Sequence, residues 1–137
     1  MFRTIVVGTN WSDSADVAFA RALELAGSSG AALHVVTAHD PSPTPVVGGP
    51  ASPHAGPDFQ SDVVLERALE RHGAQDVEVR QHTSTAEPSE AILEVASREG
   101  ADLIVVGNRG MHRRMLGSIP NTVSHRASCD VLIVQTG

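Results

Sequence analysis

The chain reads as a single α/β domain, a doubly wound parallel sheet with helices on both faces. Three observations predict this. Short apolar runs alternate along the sequence with stretches whose apolar residues recur at helical spacing. The apolar runs, such as Thr4-Ile-Val-Val-Gly8 and Leu103-Ile-Val-Val106, show no polar alternation, as expected of strands covered on both sides. The length, 137 residues, suits one compact domain with a real core, and neither a repeat nor a second domain is evident. Right-handed crossovers then make the sheet doubly wound.

Thr4 to Gly8 forms the first strand. Ser12-Asp-Ser is a helix-start signal, and Asp16 is placed to close a capping box back to Asp13. Ala15, Ala18, Phe19, Ala22, Leu25 and Ala26 give the first helix its apolar face, and Gly27 and Gly30 end it. Ala32 to Ala38 is the second strand. Val63, Leu65, Ala68 and Leu69 mark the second helix, closed by Gly73. Val77, Val79 and Gln81 alternate with charged residues and suggest a third strand near the sheet edge. Pro88 suits the first turn of a third helix, whose inward face is Ala91, Ile92, Val95 and Ala96 and whose end is Gly100. Leu103 to Val106 is strand four, Asn121 to Ala127 helix four and Val131 to Gln135 strand five. Asp40 to Pro57 breaks the alternation: it carries six of the eight prolines and reads as a mobile Pro/Gly-rich surface loop, about residues 40–57.

In such sheets ligands bind beyond the carboxyl ends of the strands, where the winding reverses. Two loops lie there: Thr9-Asn10-Trp11-Ser12 after strand one, and Gly107-Asn-Arg-Gly110 with Leu116-Gly117-Ser118-Ile119-Pro120 after strand four. The paired glycines let the backbone approach a ligand closely. Gly117-Ser118 should present free N–H groups and a hydroxyl at a helix N-terminus, where partial positive charge favours an anion. No Asp or Glu falls between Gly107 and Cys129, whereas Arg109, Arg113, Arg114 and Arg126 do. The stretch has the makings of a phosphate cradle.

Composition sets the outer limits. The formal net charge of −6 argues against nucleic-acid binding, and every fixed side-chain positive charge is an arginine, since lysine is absent. Cys129 is the sole cysteine, which excludes an intrachain disulfide and suits a reducing compartment. No apolar run approaches the ~20 residues of a membrane helix, so no membrane partner and a cytoplasmic location are expected. The seven histidines are scattered with no pair at metal-ligand spacing, and no metal site is expected.

The pattern Gly-x-x-Gly, a short basic stretch, Gly-Ser, then Val123-Ser-His-Arg-Ala-x-Cys-Asp-Val-Leu-Ile-Val134 resembles the universal stress protein family. The opening Ile5-Val-Val-Gly-Thr-Asn-Trp-Ser-Asp-Ser-Ala15 is similar to it as well, and the likeness covers the chain apart from the proline-rich stretch. The resemblance implies strand order 3-2-1-4-5, adenine-nucleotide binding (ATP, ADP or AMP, with Mg as a companion ion) and frequent dimerisation. It places Gly107 and Gly110 beside ribose and phosphates, Gly117, Ser118 and Ile119 at the phosphate-holding turn, and Ala38 where a backbone group meets adenine. Thr9 and Arg109 flank these positions. Asn10 stands where the nucleotide-binding form usually has aspartate; it keeps the shape, loses the charge and gains donors. Only six residues, Met111 to Leu116, separate Gly110 from Gly117, fewer than that form usually has. A smaller cradle suits one phosphate better than three, which leaves cyclic AMP and a ligand-free dimerising protein as alternatives.

Each residue also has a plainer role. The glycines turn the chain, Ser118 is at least a helix N-cap, Trp11 covers the sheet edge or stacks on a base, and Cys129 is a small buried residue. A flavin protein of this topology would want aromatic stackers, and this chain has no tyrosine and three Phe. A phospho-receiver needs a lysine that is missing. No Walker loop, activated nucleophile or metal-carboxylate set is visible, so efficient catalysis is not expected. With order 3-2-1-4-5, the apolar strand Val131 to Gln135 lies at a sheet edge, and a homodimer through that edge is expected.

Overall fold

The computed structural model describes residues 1–38, 57–73, 76–108 and 116–136. The elements are β1 (Thr4–Gly8), α1 (Asp13–Ser29), β2 (Ala32–Ala38), α2 (Pro57–His72), β3 (Val79–Ser84), α3 (Pro88–Glu99), β4 (Leu103–Asn108), α4 (Ser118–Arg126) and β5 (Asp130–Gln135). The five strands form one sheet in the order β3-β2-β1-β4-β5, every pairing parallel.

The middle strand explains the absence of alternation. Ile5, Val6 and Val7 are all fully buried because both faces of β1 are roofed. Ile5 and Val7 join Phe19, Ala22 and Leu23 of α1 and Ala68 of α2 on one side. Val6 joins Ile92 and Val95 of α3 and Val123 of α4 on the other. Small residues on α1, Ala18, Ala22 and Ala26, let that helix lie close over the sheet.

The helix ends follow local chemistry. Ser12 caps α1, its hydroxyl accepting the N–H of Ala15 at 3.2 Å. Gly30, with φ of 70°, turns the chain out of it. Gly27 lies inside the helix and does not end it. The box from Asp16 to Asp13 does not form. The Asp16 carboxylate reaches instead across to α2, 2.7 Å from Arg71 Nη2 and 3.1 Å from His72 Nε2. Burial alone would raise its pKa, but these two partners outweigh that and hold it below the usual carboxylate value. Asp102 does the same for the sheet floor, accepting the N–H groups of Arg3 at 2.9 Å and Thr4 at 3.1 Å.

Some boundaries shift. α2 starts at Pro57, so the last residue of the proline-rich stretch is helical. The rest of that stretch lies outside the described residues. β3 runs Val79–Ser84, further along than Val77 to Gln81, and β4 continues to Asn108. α4 begins a turn early, at Ser118; Pro120 is tolerated there because first-turn N–H groups have no helical partner.

The fold also gathers histidines that the sequence scatters. In the β2–β3 register Val36 faces His82, which brings His82 Nε2 within 2.8 Å of His34 Nδ1. Along the chain no histidine pair stands at metal-ligand spacing; strand register, which sequence spacing does not reveal, brings His34 and His82 together.

Candidate functional site

A cleft of about 380 Å³ opens at the carboxyl ends of β1, β2 and β4. Its floor exists because β1 ends in glycine. A Cβ on Gly8 would lie 2.9 Å from Ile92 Cγ1 and collide with the Ile92 methyl. Val36, Ala38, Ile92, Val106 and Pro88 make an apolar wall, and Thr9, Asn10, Ser12, Asn108 and Ser118 supply the polar rim.

The β1–α1 loop is held by its own side chains. Thr9 is buried, donates its N–H to Val36 O at 3.0 Å, and accepts the Trp11 N–H on its hydroxyl at 2.9 Å. Asn10 Oδ1 accepts the Ser12 N–H at 3.0 Å, an Asx turn, and Asn10 lines the cleft with its amide NH₂ as the remaining donor group. Trp11 adopts a positive φ of 63°. Its ring stands edge-on to Phe19, centroids 5.5 Å apart. It packs against the core cluster on the α1 side of the sheet and is not among the residues lining the cleft.

The opposite side is organised by Asn108, which the sequence reading passed over. This side chain is 4% exposed. Its Oδ1 accepts the Gly117 N–H at 3.1 Å, and its Nδ2 donates to Gln135 Oε1 at 3.3 Å. Its backbone carbonyl accepts the Thr136 N–H at 2.8 Å and hydroxyl at 3.1 Å. One residue therefore ties the end of β4 to the start of α4 and the end of β5. An asparagine two residues past an apolar strand was the available signal.

Two expectations about this side are corrected. Gly117 does not offer a free N–H, because Asn108 takes it. Ser118 is not the N-cap: Gly117 holds that position with no side-chain cap, and Ser118 is the first helical residue. The N–H groups of Ser118 and Ile119 remain, as first-turn donors without helical partners. Pro120 has none, and that of Asn121 bonds Gly117 O at 3.0 Å. Gly107 lines the cleft, but its lack of Cβ is also structural, since a Cβ would meet Thr136 Cγ2 at 3.1 Å.

Of the expected site residues, Thr9, Asn10, Ala38, Gly107, Gly117, Ser118 and Ile119 converge on this cleft. Arg109 and Gly110, with Arg113 and Arg114, lie outside the described residues. Arg126 does not serve the cleft; it pairs with Glu90 of α3. Among the described residues, the lining holds hydroxyls, amides and apolar groups but no Asp, Glu, His, Arg or Cys. Cys129 is half-buried against the α3–α4 face, where burial raises its pKa above the ordinary thiol value. Among the described residues no helix is long and apolar enough to cross a membrane.

Comparison with known proteins identifies the family and the fold. A family model described as the universal stress protein family matches residues 1–135. A universal stress protein of Mycobacterium tuberculosis strain H37Rv is 36% identical, over 98% of this chain and 97% of its own length. A solved universal stress protein in complex with cAMP is 37% identical, covering 99% of this chain and 98% of that one, with a TM-score of 0.72. A universal stress protein from Archaeoglobus fulgidus shares the fold at 22% identity, with a TM-score of 0.69 over 98% of this chain and 99% of that one. The chain belongs to the universal stress protein family.

Proposed function

We propose that this universal stress protein binds an adenine nucleotide in the cleft between the β1–α1 loop and the start of α4, as a ligand and not as a substrate for rapid turnover. The observation that carries the reading is the opposition of an apolar slot to a helix N-terminus. Val36, Ala38, Ile92 and Val106 can hold a flat base, and the Ser118 and Ile119 amides with the Ser118 hydroxyl donate to a phosphate. A cleft of 380 Å³ falls in the usual range for small-molecule sites. Asn10 NH₂ adds a neutral donor where aspartate would repel a phosphate or hold a metal.

A ligand with one phosphate suits this cradle best. Two amides and a helix dipole of about half a charge balance a single negative charge, as in cyclic AMP, better than a triphosphate. The cAMP-bound relative at 37% identity supports the same choice. The lining lacks a general base among the described residues, which favours binding over hydrolysis.

The β5 edge supports a second part of the reading, a homodimer. Val131, Leu132 and Ile133 are half-buried in the isolated chain, and β5 pairs with β4 alone. Antiparallel pairing of Val131 to Gln135 with its copy would occupy the open row of backbone groups through a two-fold axis.

Calorimetry of the full chain with ATP, ADP, AMP and cyclic AMP tests the nucleotide reading. Binding at micromolar to sub-millimolar affinity, about −8 to −4 kcal/mol, is expected for at least one of them, with cyclic AMP the tightest. Ala38→Trp, which fills the base slot, should abolish it. No heat with any of the four would refute the proposal.

A further inference from the structure

Away from the cleft lining, three ligand-bearing side chains meet under the end of α3. His34 is in the middle of β2 and 4% exposed. His82 is on the edge strand β3, and strand alternation puts it on the same sheet face as His34, the face that α3 covers. Glu99 is the last residue of α3. One ligand atom from each of the three lies within 4.8 Å of the other two.

We propose that His34, His82 and Glu99 form a binding site for a divalent transition-metal ion, zinc by the chemistry of its donors, which clamps the edge strand and the end of α3 to β2. Two imidazole nitrogens 2.8 Å apart must share either a proton or a cation. Tetrahedral zinc at its usual Zn–N distance separates two such nitrogens by about 3.3 Å, so a shift of roughly half an ångström admits the ion. Two histidines and one carboxylate are a recurrent zinc donor set, leaving the fourth position to water. Imidazole nitrogen also selects against magnesium and calcium.

The surroundings favour a cation. The site lies at the carboxyl end of α3, where the helix dipole is negative. Glu78 and Glu99 offset Arg80 and Arg98 among the charges acting on His34, and Arg98 is itself paired with Glu94 and Glu99. Burial, more than any neighbouring charge, lowers the pKa of both rings, so they are neutral and carry lone pairs at neutral pH.

Arg98 is the competitor. Its Nη2 lies 3.2 Å from His82 Nδ1. A guanidinium only donates, so Nδ1 there is unprotonated and the His82 proton sits on Nε2, facing His34. Metal on Nε2 moves that proton to Nδ1, with none released, and Arg98 must leave. It is free to: its side chain is 54% exposed and its Nη1 is already 3.7 Å from Glu94. Removing Arg98 should therefore strengthen metal binding, an effect opposite to that expected from loss of a merely structural contact.

The test uses the full chain without a histidine tag, stripped with EDTA and titrated with ZnCl₂ by calorimetry. Co²⁺ is added in parallel as an optical probe. One zinc per chain and the intense visible bands of tetrahedral cobalt are expected. His82→Ala should weaken binding at least ~100-fold and Glu99→Gln about tenfold, while Arg98→Gln should tighten it. His82 and Glu99 are only half-buried, so both variants should keep the wild-type circular dichroism; if His82→Ala unfolds, Glu99→Gln and Arg98→Gln decide. Absence of zinc binding, or binding unchanged by substitutions at these positions, would overturn the proposal.

Discussion

Replacing Asn108 separates its structural role from the electrostatics of the cleft. Asn108→Ala removes two side-chain hydrogen bonds, to Gly117 N–H and Gln135 Oε1. Each is worth about 0.5–1.5 kcal/mol net, and water entering from the cleft can partly re-satisfy the half-buried Gly117 N–H, so a loss of about 2 kcal/mol is expected. For a domain of this size that lowers Tm by roughly 6–10 °C. Asn108→Asp behaves differently. Aspartate keeps the acceptor for Gly117, and Gln135 can rotate its amide so that its NH₂ faces the new carboxylate. Burying a carboxylate at this 4% exposed site costs free energy, which its two charge-assisted hydrogen bonds, about 1.5–3 kcal/mol each, and about 0.3–1 kcal/mol from the helix dipole offset. The Asp variant should therefore lie within ~1 kcal/mol of wild type, yet its carboxylate opposes a phosphate at the same helix end. Urea denaturation and nucleotide calorimetry on both variants provide the check. The Asp variant should be nearly as stable as wild type and bind at least tenfold more weakly, ~1.4 kcal/mol. Equal destabilisation of the two variants, or undiminished nucleotide affinity in the Asp variant, would refute the assignment of Asn108 as the latch beside a phosphate site.

The histidine pair makes stability pH-dependent. Both rings have pKa values below the ordinary 6.5, so with EDTA present stability is complete above about pH 6.5 and declines as pH falls below it; the carboxylates of Glu78 and Glu99 and the guanidiniums of Arg80 and Arg98 act on the same rings, and His82→Gln should flatten the slope in urea titrations at successive pH values. Light scattering should give twice the chain mass, and Ile133→Pro, which takes an N–H from β5, should give monomer or aggregate; a monodisperse wild-type monomer at high micromolar concentration would end the dimer reading. Phe19→Ala, at a side chain with no exposed surface, should cost about 3–5 kcal/mol in denaturant unfolding. A steady-state ATPase assay should show turnover well below ~1 per second, and a faster rate lost on mutation of Ser118 would contradict binding without catalysis.

The sequence made the alternation of strands and helices readable because each element carries its own periodicity, and β1 and β4 announce burial on both faces. Strand order came from family resemblance, since short apolar runs do not say which neighbours they choose. The cleft was half-legible. Gly117, Ser118 and Asn10 could be placed by turn and helix-start chemistry, but the taking of the Gly117 N–H by Asn108 depends on β4 running past its apolar core. Asn108 bonds partners 9 and 27 residues away, a relation that no local pattern encodes. The pairing of Arg126 with Glu90 was hidden for the same reason: an acid-free stretch of sequence is not acid-free in space once α3 packs beside α4. The meeting of His34 and His82, 48 residues apart, is a matter of strand register alone.

Trp11 gives the molecule an optical consequence. It is the sole tryptophan in a chain without tyrosine, so near-ultraviolet emission excited at the red edge comes from one indole. That indole is held edge-on to Phe19, its ring N–H is buried without a hydrogen-bond partner among the described residues, and its own backbone is fastened to Thr9 in the cleft rim. An indole whose N–H is kept from water emits toward the blue, and any opening of the loop that lets water reach it reddens the spectrum. The protein thus carries its own fluorophore one residue from Asn10, and occupancy of the neighbouring cleft can be followed by colour and lifetime without attaching a dye.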